Sequence, residues 1–397
     1  MITVEQAEKL IQAETKDFGT EKVSFEKALG RVLAEDIVAD RDLPPFNRVT
    51  MDGIAVNYKA IESGINQLKI KATQAAGDKP VEIDNPDECI EIMTGAALPT
   101  TVDTVIPYEQ ISIKDGKATL VTTNIRKEQS LHLKGADKKQ GDVIIPAGQS
   151  ITPSTINALA SVGKTELLVR KLPRVVVVSS GDELVDIEHE PSTVQIRKSN
   201  SYTIQAVLSK HQLKTGLLHI PDDPAVTKEK IGNCLANYDV ILMTGGISAG
   251  KFDYIPKALE EMGVETIFHK VSQRPGKPFW FGKHENGVLV FAFPGNPVAT
   301  FMCLHRHFLP WLDASLGLEE KPVYGILNQD FVFKHELQYF LQVKLHYSED
   351  GKLLAHPVEG NGSGDFANLA DTDAFMELPL ERSEFKAGEV FRIWLFV

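Results

Sequence analysis

The stretch RVVVVSSGDEL, residues 174–184, decides the fold. Four consecutive valines form an apolar run without polar alternation, the pattern of a strand buried on both faces. The run ends in Ser179, Ser180, Gly181, Asp182 and Glu183, which places small and acidic residues where the strand stops. The same texture repeats downstream. A helix is predicted over 202–210, then the strand TGLLHI (215–220), a helix over 224–236, the strand of YDVILMTGG (238–246) and a helix over 254–262. Strands in KPFWFG (277–282) and GVLVFAFPG (287–295) follow. Apolar strands alternating with helices predict a three-layer αβα domain around a mostly parallel sheet, and ligands of such sheets sit outside the carboxyl ends of the strands.

Towards the amino terminus, Thr3 and Gln6 make a capping box ahead of Val4, Ala7, Leu10 and Ile11 at helical spacing. A second helix is predicted over 24–33. After DLPPFN (42–47) the stretches LKIKAT (68–73), CIEIMTG (89–95) and ISIKDGKATLV (111–121) predict strands, the last a hairpin about Asp115-Gly116. A helix resumes in TPSTINALASVG (152–163), with Pro153 in its first turn and Gly163 as its stop. Beyond Trp311, YFLQVKLHYSEDGKLLAHPV (339–358) predicts a hairpin about Asp350-Gly351, and EVFRIWLFV (389–397) a closing strand. The expectation is an α/β multidomain protein: a helical region of residues 1–41 with 138–172, a β-rich insert of 42–137, the αβα domain of 173–318 and a small all-β domain of 319–397.

The totals restrict function. Among 397 residues, 42 Lys and Arg face 54 Asp and Glu, a net charge of -12, which argues against a broad nucleic-acid footprint. Hydrophobic content of 43% and charged content of 24% suit a folded soluble chain. Cys89, Cys234 and Cys303 are far apart and form no C-x-x-C pair, so we expect reduced core cysteines and no structural zinc. No apolar run approaches the roughly 20 residues of a membrane span, and the charged start is no export signal. A cytoplasmic protein is expected.

Polar clusters fall where strands end. MTGGISAGKFD (243–253) nearly matches a nucleotide-hydrolase phosphate loop through Gly245, Gly250 and Lys251, but Phe252 replaces the hydroxyl residue that pattern needs. Gly245, Gly246, Ser248 and Gly250 can still cradle a phosphate with backbone N–H groups, and Asp253 can supply a carboxylate oxygen to magnesium. Gly181-Asp182-Glu183, Pro221-Asp222-Asp223-Pro224 and Pro294-Gly295-Asn296-Pro297 lie at other strand ends. QRPGKPFWFG (273–282) brings Arg274, a fork for oxyanions, and Lys277, a compact charge, around a Pro-Gly turn. PPFNRVTMDG (44–53) adds Asp52. Each cluster has a plainer reading as a tight turn, a helix cap or a surface charge. Other chemistries fail on spacing. His335-Glu336 lacks a second histidine at Tyr339, His305 and His307 are two apart, and neither G-x-S-x-G nor G-x-G-x-x-G occurs.

Taken together, PPFNRVTMDGIAV, IMTGAALP, SSGDEL, IRKSNSY, PDDP, TGGISAGKFDY, RPGKPFWFG and FPGNPVATF, in this order from about residue 44 to 301, closely resemble the molybdopterin molybdenumtransferase family, MoeA and the corresponding domains of gephyrin and its plant counterpart. The resemblance implies a homodimer of four-domain subunits that inserts molybdate into adenylylated molybdopterin and releases AMP in a Mg2+-dependent step. It assigns functional roles to Asp52, Thr94, Asp137, Glu183, Asp222 or Asp223, Asp253, Arg274, Lys277, Pro294, Pro297 and, in the tail, Ser363. Asp52, Glu183, Asp253 and Lys277 are the expected catalytic set, Glu183 and Asp253 the metal ligands. Further partners implied are the molybdopterin adenylyltransferase and downstream molybdoenzyme chaperones. The rival activities are molybdopterin adenylylation and a non-catalytic scaffold. The adenylylating relatives show a T-G-G-T-G type loop, whereas here Ser248-Ala249-Gly250 follows Gly246-Ile247. Two departures stand out: Asn47-Arg48 where the family has an acid, and Gln342 where it has an arginine.

Overall fold

The computed structural model describes residues 1–246, 255–360, 362 and 364–396. The chain divides into two compact units, one of Met1–Ala34, Gly148–Ile151 and Leu167–Val397, the other of Glu35–Ala147 and Thr152–Glu166.

In the first unit the valine run becomes the strand Val175–Ser180, second in a six-stranded sheet ordered Thr215–Ile220, Val175–Ser180, Val240–Thr244, Leu289–Phe293, Trp280–His284 and Val264–His269. The first three pairings are parallel. The last two are antiparallel. Only a short turn, closed by Gly287 N donating to His284 O at 2.8 Å, joins Trp280–His284 to Leu289–Phe293, which leaves no room for the crossover that parallel strands require. Val175 and Val177 enter one core with Ile204 and Leu208 of the helix Asn200–Lys210. Val176 and Val178 enter another with Ile231 of Pro224–Asn237 and Leu259 of Ile255–Glu261. Both faces are thus apolar, which is why the strand shows no alternation.

The opening helix, Val4–Gln12, carries both bonds of its capping box. The helix expected over 24–33 does not form. Thr20–Ser24 is a strand, followed by a single 3-10 turn, Phe25–Lys27. Val32 and Leu33 make extended bridges to Ser150 and Val169, while Arg31 is buried on Glu21 at 2.6 Å and on the Arg170 carbonyl at 2.7 Å. These tertiary partners, with Gly30 at φ +79, outweigh helix propensity.

The tail strands Val323–Leu327, Gln338–Tyr347, Leu353–Pro357, Ala374–Leu378 and Val390–Leu395 form a small barrel-like sheet, because Ala374–Leu378 pairs with both Val390–Leu395 and Gln338–Tyr347. The expected hairpin turns at Gly351, φ +80. Gln273–Arg274 adds to the same sheet alongside Gln338 and Tyr339, which carries the RPGK turn to its edge.

In the second unit six strands run in the order Thr104–Pro107, Gly53–Val56, Glu88–Ile92, Gln67–Gln74, Lys117–Leu120 and Ile111–Lys114. Asp115 and Gly116 both take positive φ, 52 and 72, as the hairpin requires. The helix Pro153–Ser161 is capped by Thr152. Gly53 lies so near the Ile106 carbonyl that any Cβ would overlap it.

All three cysteines are buried and unpaired, and burial pushes the thiols of Cys89 and Cys234 up to about 12 and about 11. His305 and His307 lie buried in a π-helical turn, Leu304–Phe308. Burial holds His305 down to about 4 and His307 well below its ordinary value. The unfolded chain takes up these protons near pH 6.5 and the folded chain does not, so their contribution is full above that value and is lost as pH falls towards 4. Asp313, pushed up by burial, acts in the opposite sense from its ordinary 3.8 upward. His305 alone costs about 3 kcal/mol by the low end of the window, and His307 acts in the same sense. The urea midpoint is therefore expected to fall between pH 7 and pH 5, and less steeply in His305→Phe; a flat wild-type midpoint contradicts this.

Candidate functional site

The parallel strands Val175–Ser180, Val240–Thr244 and Leu289–Phe293 end on the same side, so their following loops meet. A Cβ on Gly245 would lie 2.8 Å from the Ser180 carbonyl, and one on Gly295 3.6 Å from the Gly245 Cα. Gly245 and Gly246 also take φ of +86 and +67, which favours glycine at both. Asn200 ties two loops together: its Nδ2 donates to Thr244 Oγ1 at 2.9 Å and to the Gly295 carbonyl at 2.6 Å. The motif IRKSNSY contains this residue, but no spacing rule singles out an asparagine at a helix start as a brace. Thr300 Oγ1 donates to the Pro294 carbonyl at 2.5 Å and holds the PGNP loop from its own helix, Pro297–Cys303.

The acidic loops divide in role. Asp222 N donates to Asp182 Oδ1 at 3.0 Å, which joins the GDE and PDDP loops. Asp223 Oδ1 accepts from Ala225 N and Val226 N, so this carboxylate caps the helix Pro224–Asn237, the plainer of its two readings. Glu183 is exposed, its carboxylate lying over Gly181, where φ is +130 and a Cβ would strike it. Among the described residues no group of three or more His, Cys, Asp or Glu could hold a metal. Ser248, Gly250, Asp253 and Ser363 lie outside the described residues.

A pocket of about 490 Å³ opens in this unit, lined among others by Arg274, Lys277, Pro294, Asn296, Tyr339 and Gln342. It joins the RPGK turn, the PGNP loop and the barrel-like tail sheet. Arg274 and Lys277 make no ion pair among the described residues, and the Arg274 guanidinium lies 5.8 Å over the Phe333 ring. Gln342 is only 8% exposed, and its Oε1 has no hydrogen-bond partner among the described residues. A neutral amide thus stands in a wall that otherwise offers two cations.

Asp52, Thr94 and Asp137 belong to the other unit. Asp52 Oδ1 accepts from Thr94 N at 2.6 Å, and this bond holds the carboxyl below its ordinary range and ionised. Arg48 donates to His132 Nδ1 at 3.1 Å, so the ring proton sits on Nε2, which faces Asp137 Oδ1 at 2.9 Å. The arginine that departs from the family motif therefore fixes, through His132, the carboxylate of Asp137.

Residues 2–163 match the MoeA N-terminal region (domain I and II), 176–314 the probable molybdopterin binding domain, and 324–396 the MoeA C-terminal region (domain IV). A molybdopterin molybdenumtransferase of Synechocystis is 38% identical over 394 residues, spanning 98% of this chain and 99% of the relative. The chain belongs to the MoeA family of molybdopterin molybdenumtransferases. A Staphylococcus aureus family member is 32% identical over 382 residues, covering 94% of this chain and 90% of its own. A MoeA crystal structure from Pyrococcus horikoshii superposes with a TM-score of 0.84 at 26% identity and full coverage of both chains. The mixed α/β multidomain architecture is that of MoeA.

Proposed function

We propose that this MoeA-family protein inserts molybdate into adenylylated molybdopterin, releasing AMP, as a cytoplasmic homodimer with the four-domain division and three-layer central domain read from the sequence. The observation that carries the reading is the pocket in which Arg274 and Lys277 face the PGNP loop, in a chain whose curated relatives are named for this transfer. A tetrahedral dianion suits the pair: Arg274 offers a planar fork, Lys277 a point charge, and neither spends its charge on a carboxylate among the described residues. Cleavage of a phosphoanhydride builds charge on oxygen, which Lys277 can offset at a fixed position. Glu183 fits a magnesium ion by the chemistry of its donor, an exposed carboxylate with hard oxygen ligands, and Asp253 is its proposed companion. Bound there, the ion would neutralise phosphate charge. Asp52, kept ionised by Thr94, orients an incoming donor rather than an anion.

Incubation of the pure protein with adenylylated molybdopterin, molybdate and magnesium tests the reading. AMP and active cofactor are expected; ATP consumption with free molybdopterin would indicate the adenylylating activity instead, and no turnover a scaffold. The neutral Gln342 gives a separate expectation. Gln342→Arg places a third cation in the wall and should tighten molybdate binding by about tenfold, the scale of one charge-assisted hydrogen bond; unchanged affinity by calorimetry contradicts this.

A further inference from the structure

We infer that His307 and Gln273 are positioning residues that fix the RPGK turn, and with it Arg274 and Lys277, from beneath the pocket. Gln273 is fully buried. Its Nε2 donates to the Gly276 carbonyl at 3.1 Å, and its Oε1 faces His307 Nε2 at 2.9 Å. This arrangement has one consistent polarity. The Gly276 carbonyl can only accept, so the amide nitrogen must face it; the amide oxygen then faces His307, whose Nε2 must carry the proton. His307 Nδ1 is buried without a partner among the described residues, and burial keeps the ring neutral. The ring is held in place by stacking on Phe279 at 4.9 Å.

The turn itself closes through Val271 N donating to the Lys277 carbonyl at 2.9 Å, and Phe279 N donating to the Gly276 carbonyl at 3.1 Å. Gly276, at φ +93, would bring a Cβ to 2.7 Å from Cys303 Sγ and 2.9 Å from Met302 Cε. The floor of the turn is therefore shaped by one helical segment, Pro297–Cys303 and its π-helical continuation to Phe308, whose first residues shape the PGNP loop. The cationic turn and the PGNP loop share a single support. A buried polar pair is costly unless its hydrogen bonds are made; once they are made it rigidifies its surroundings, and here it fixes the turn that carries two cations.

The inference rests on the proposed reading of the pocket as the oxyanion site, and the test separates the two. His307→Phe keeps a ring on Phe279 and removes the donor. His307→Gln returns an amide N–H. Gln273→Met combined with His307→Phe replaces both polar partners by apolar groups, which leaves no orphaned amide and preserves folding where the single change does not. Molybdate affinity by calorimetry, and the molybdate KM of AMP release, should weaken by about tenfold in His307→Phe and in the double variant, the lower end for outer-shell partners of a bound ion. The kcat should fall as well, by less than the loss in Lys277→Ala, because the ammonium is displaced and not removed, and His307→Gln should recover most of both losses. Two readouts do not depend on activity. Long-range proton–nitrogen NMR should place the His307 proton on Nε2, and amide exchange at Val271 should accelerate in the apolar variants. A proton on Nδ1, or wild-type exchange at Val271 together with wild-type molybdate affinity in both apolar variants, overturns the positioning role. A protein with the Nε2 proton and faster Val271 exchange in the variants that nevertheless releases no AMP overturns the proposed function and supports the positioning.

Discussion

Lys277→Ala is expected to lower molybdate-dependent AMP release by about 10²- to 10³-fold, the cost of removing one preorganised donor from developing charge. The side chain has no ion pair among the described residues and lines the pocket beside Arg274, so its loss should leave the fold intact. The backbone bond from Val271 N to the Lys277 carbonyl survives the substitution, and the turn keeps its shape. Lys277→Arg should recover part of the activity, since charge returns but the compact ammonium does not. The check is steady-state AMP release at saturating and limiting molybdate, together with a thermal melt. Activity within threefold of wild type would remove Lys277 from the mechanism.

The largest stability effect is expected at Phe291. Its ring is fully buried in the central strand Leu289–Phe293, with centroids 4.7 Å from Phe281, 5.2 Å from Phe308 and 5.5 Å from Trp311. Phe291→Ala removes the ring that joins the sheet to the helical segment carrying Phe308 and Trp311, and about 3 to 5 kcal/mol should be lost, the usual cost of truncating a buried phenylalanine. Since that segment also shapes the floor under the RPGK turn, the variant should bind molybdate more weakly even where it remains folded. Urea unfolding followed by tryptophan fluorescence measures the first effect, because Trp311 sits in the same cluster. A loss below about 1 kcal/mol would mean that the cluster repacks around the gap.

The sheet was legible because burial on both faces writes itself as unbroken apolar runs, seen in Val175–Ser180 and Leu289–Phe293. The hairpins at Asp115-Gly116 and Asp350-Gly351 were legible because a positive φ demands particular residues. The segment 24–33 was not, because its partners Ser150 and Val169 are more than a hundred residues away in sequence and nothing local announces them. The same limit applies to the candidate site. Arg274 and Lys277 are visible as cations about a Pro-Gly turn, and Asp223 is equally visible as ligand or cap; only the bonds from Ala225 N and Val226 N favour the cap. Asn200 lies within IRKSNSY and Gln273 opens QRPGKPFWFG, but no spacing marks either of them, or His307, as a brace. Their roles arise from one amide reaching two loops and one imidazole reaching one amide, which are facts of packing across distant segments.

Crystals soaked in molybdate, with diffraction recorded near the molybdenum absorption edge, test most directly whether this pocket receives the oxyanion. The expected result is an anomalous peak within hydrogen-bond reach of both Arg274 and Lys277, lost in Lys277→Ala. A peak elsewhere on the protein, with the pocket empty at the same molybdate concentration, would contradict the account.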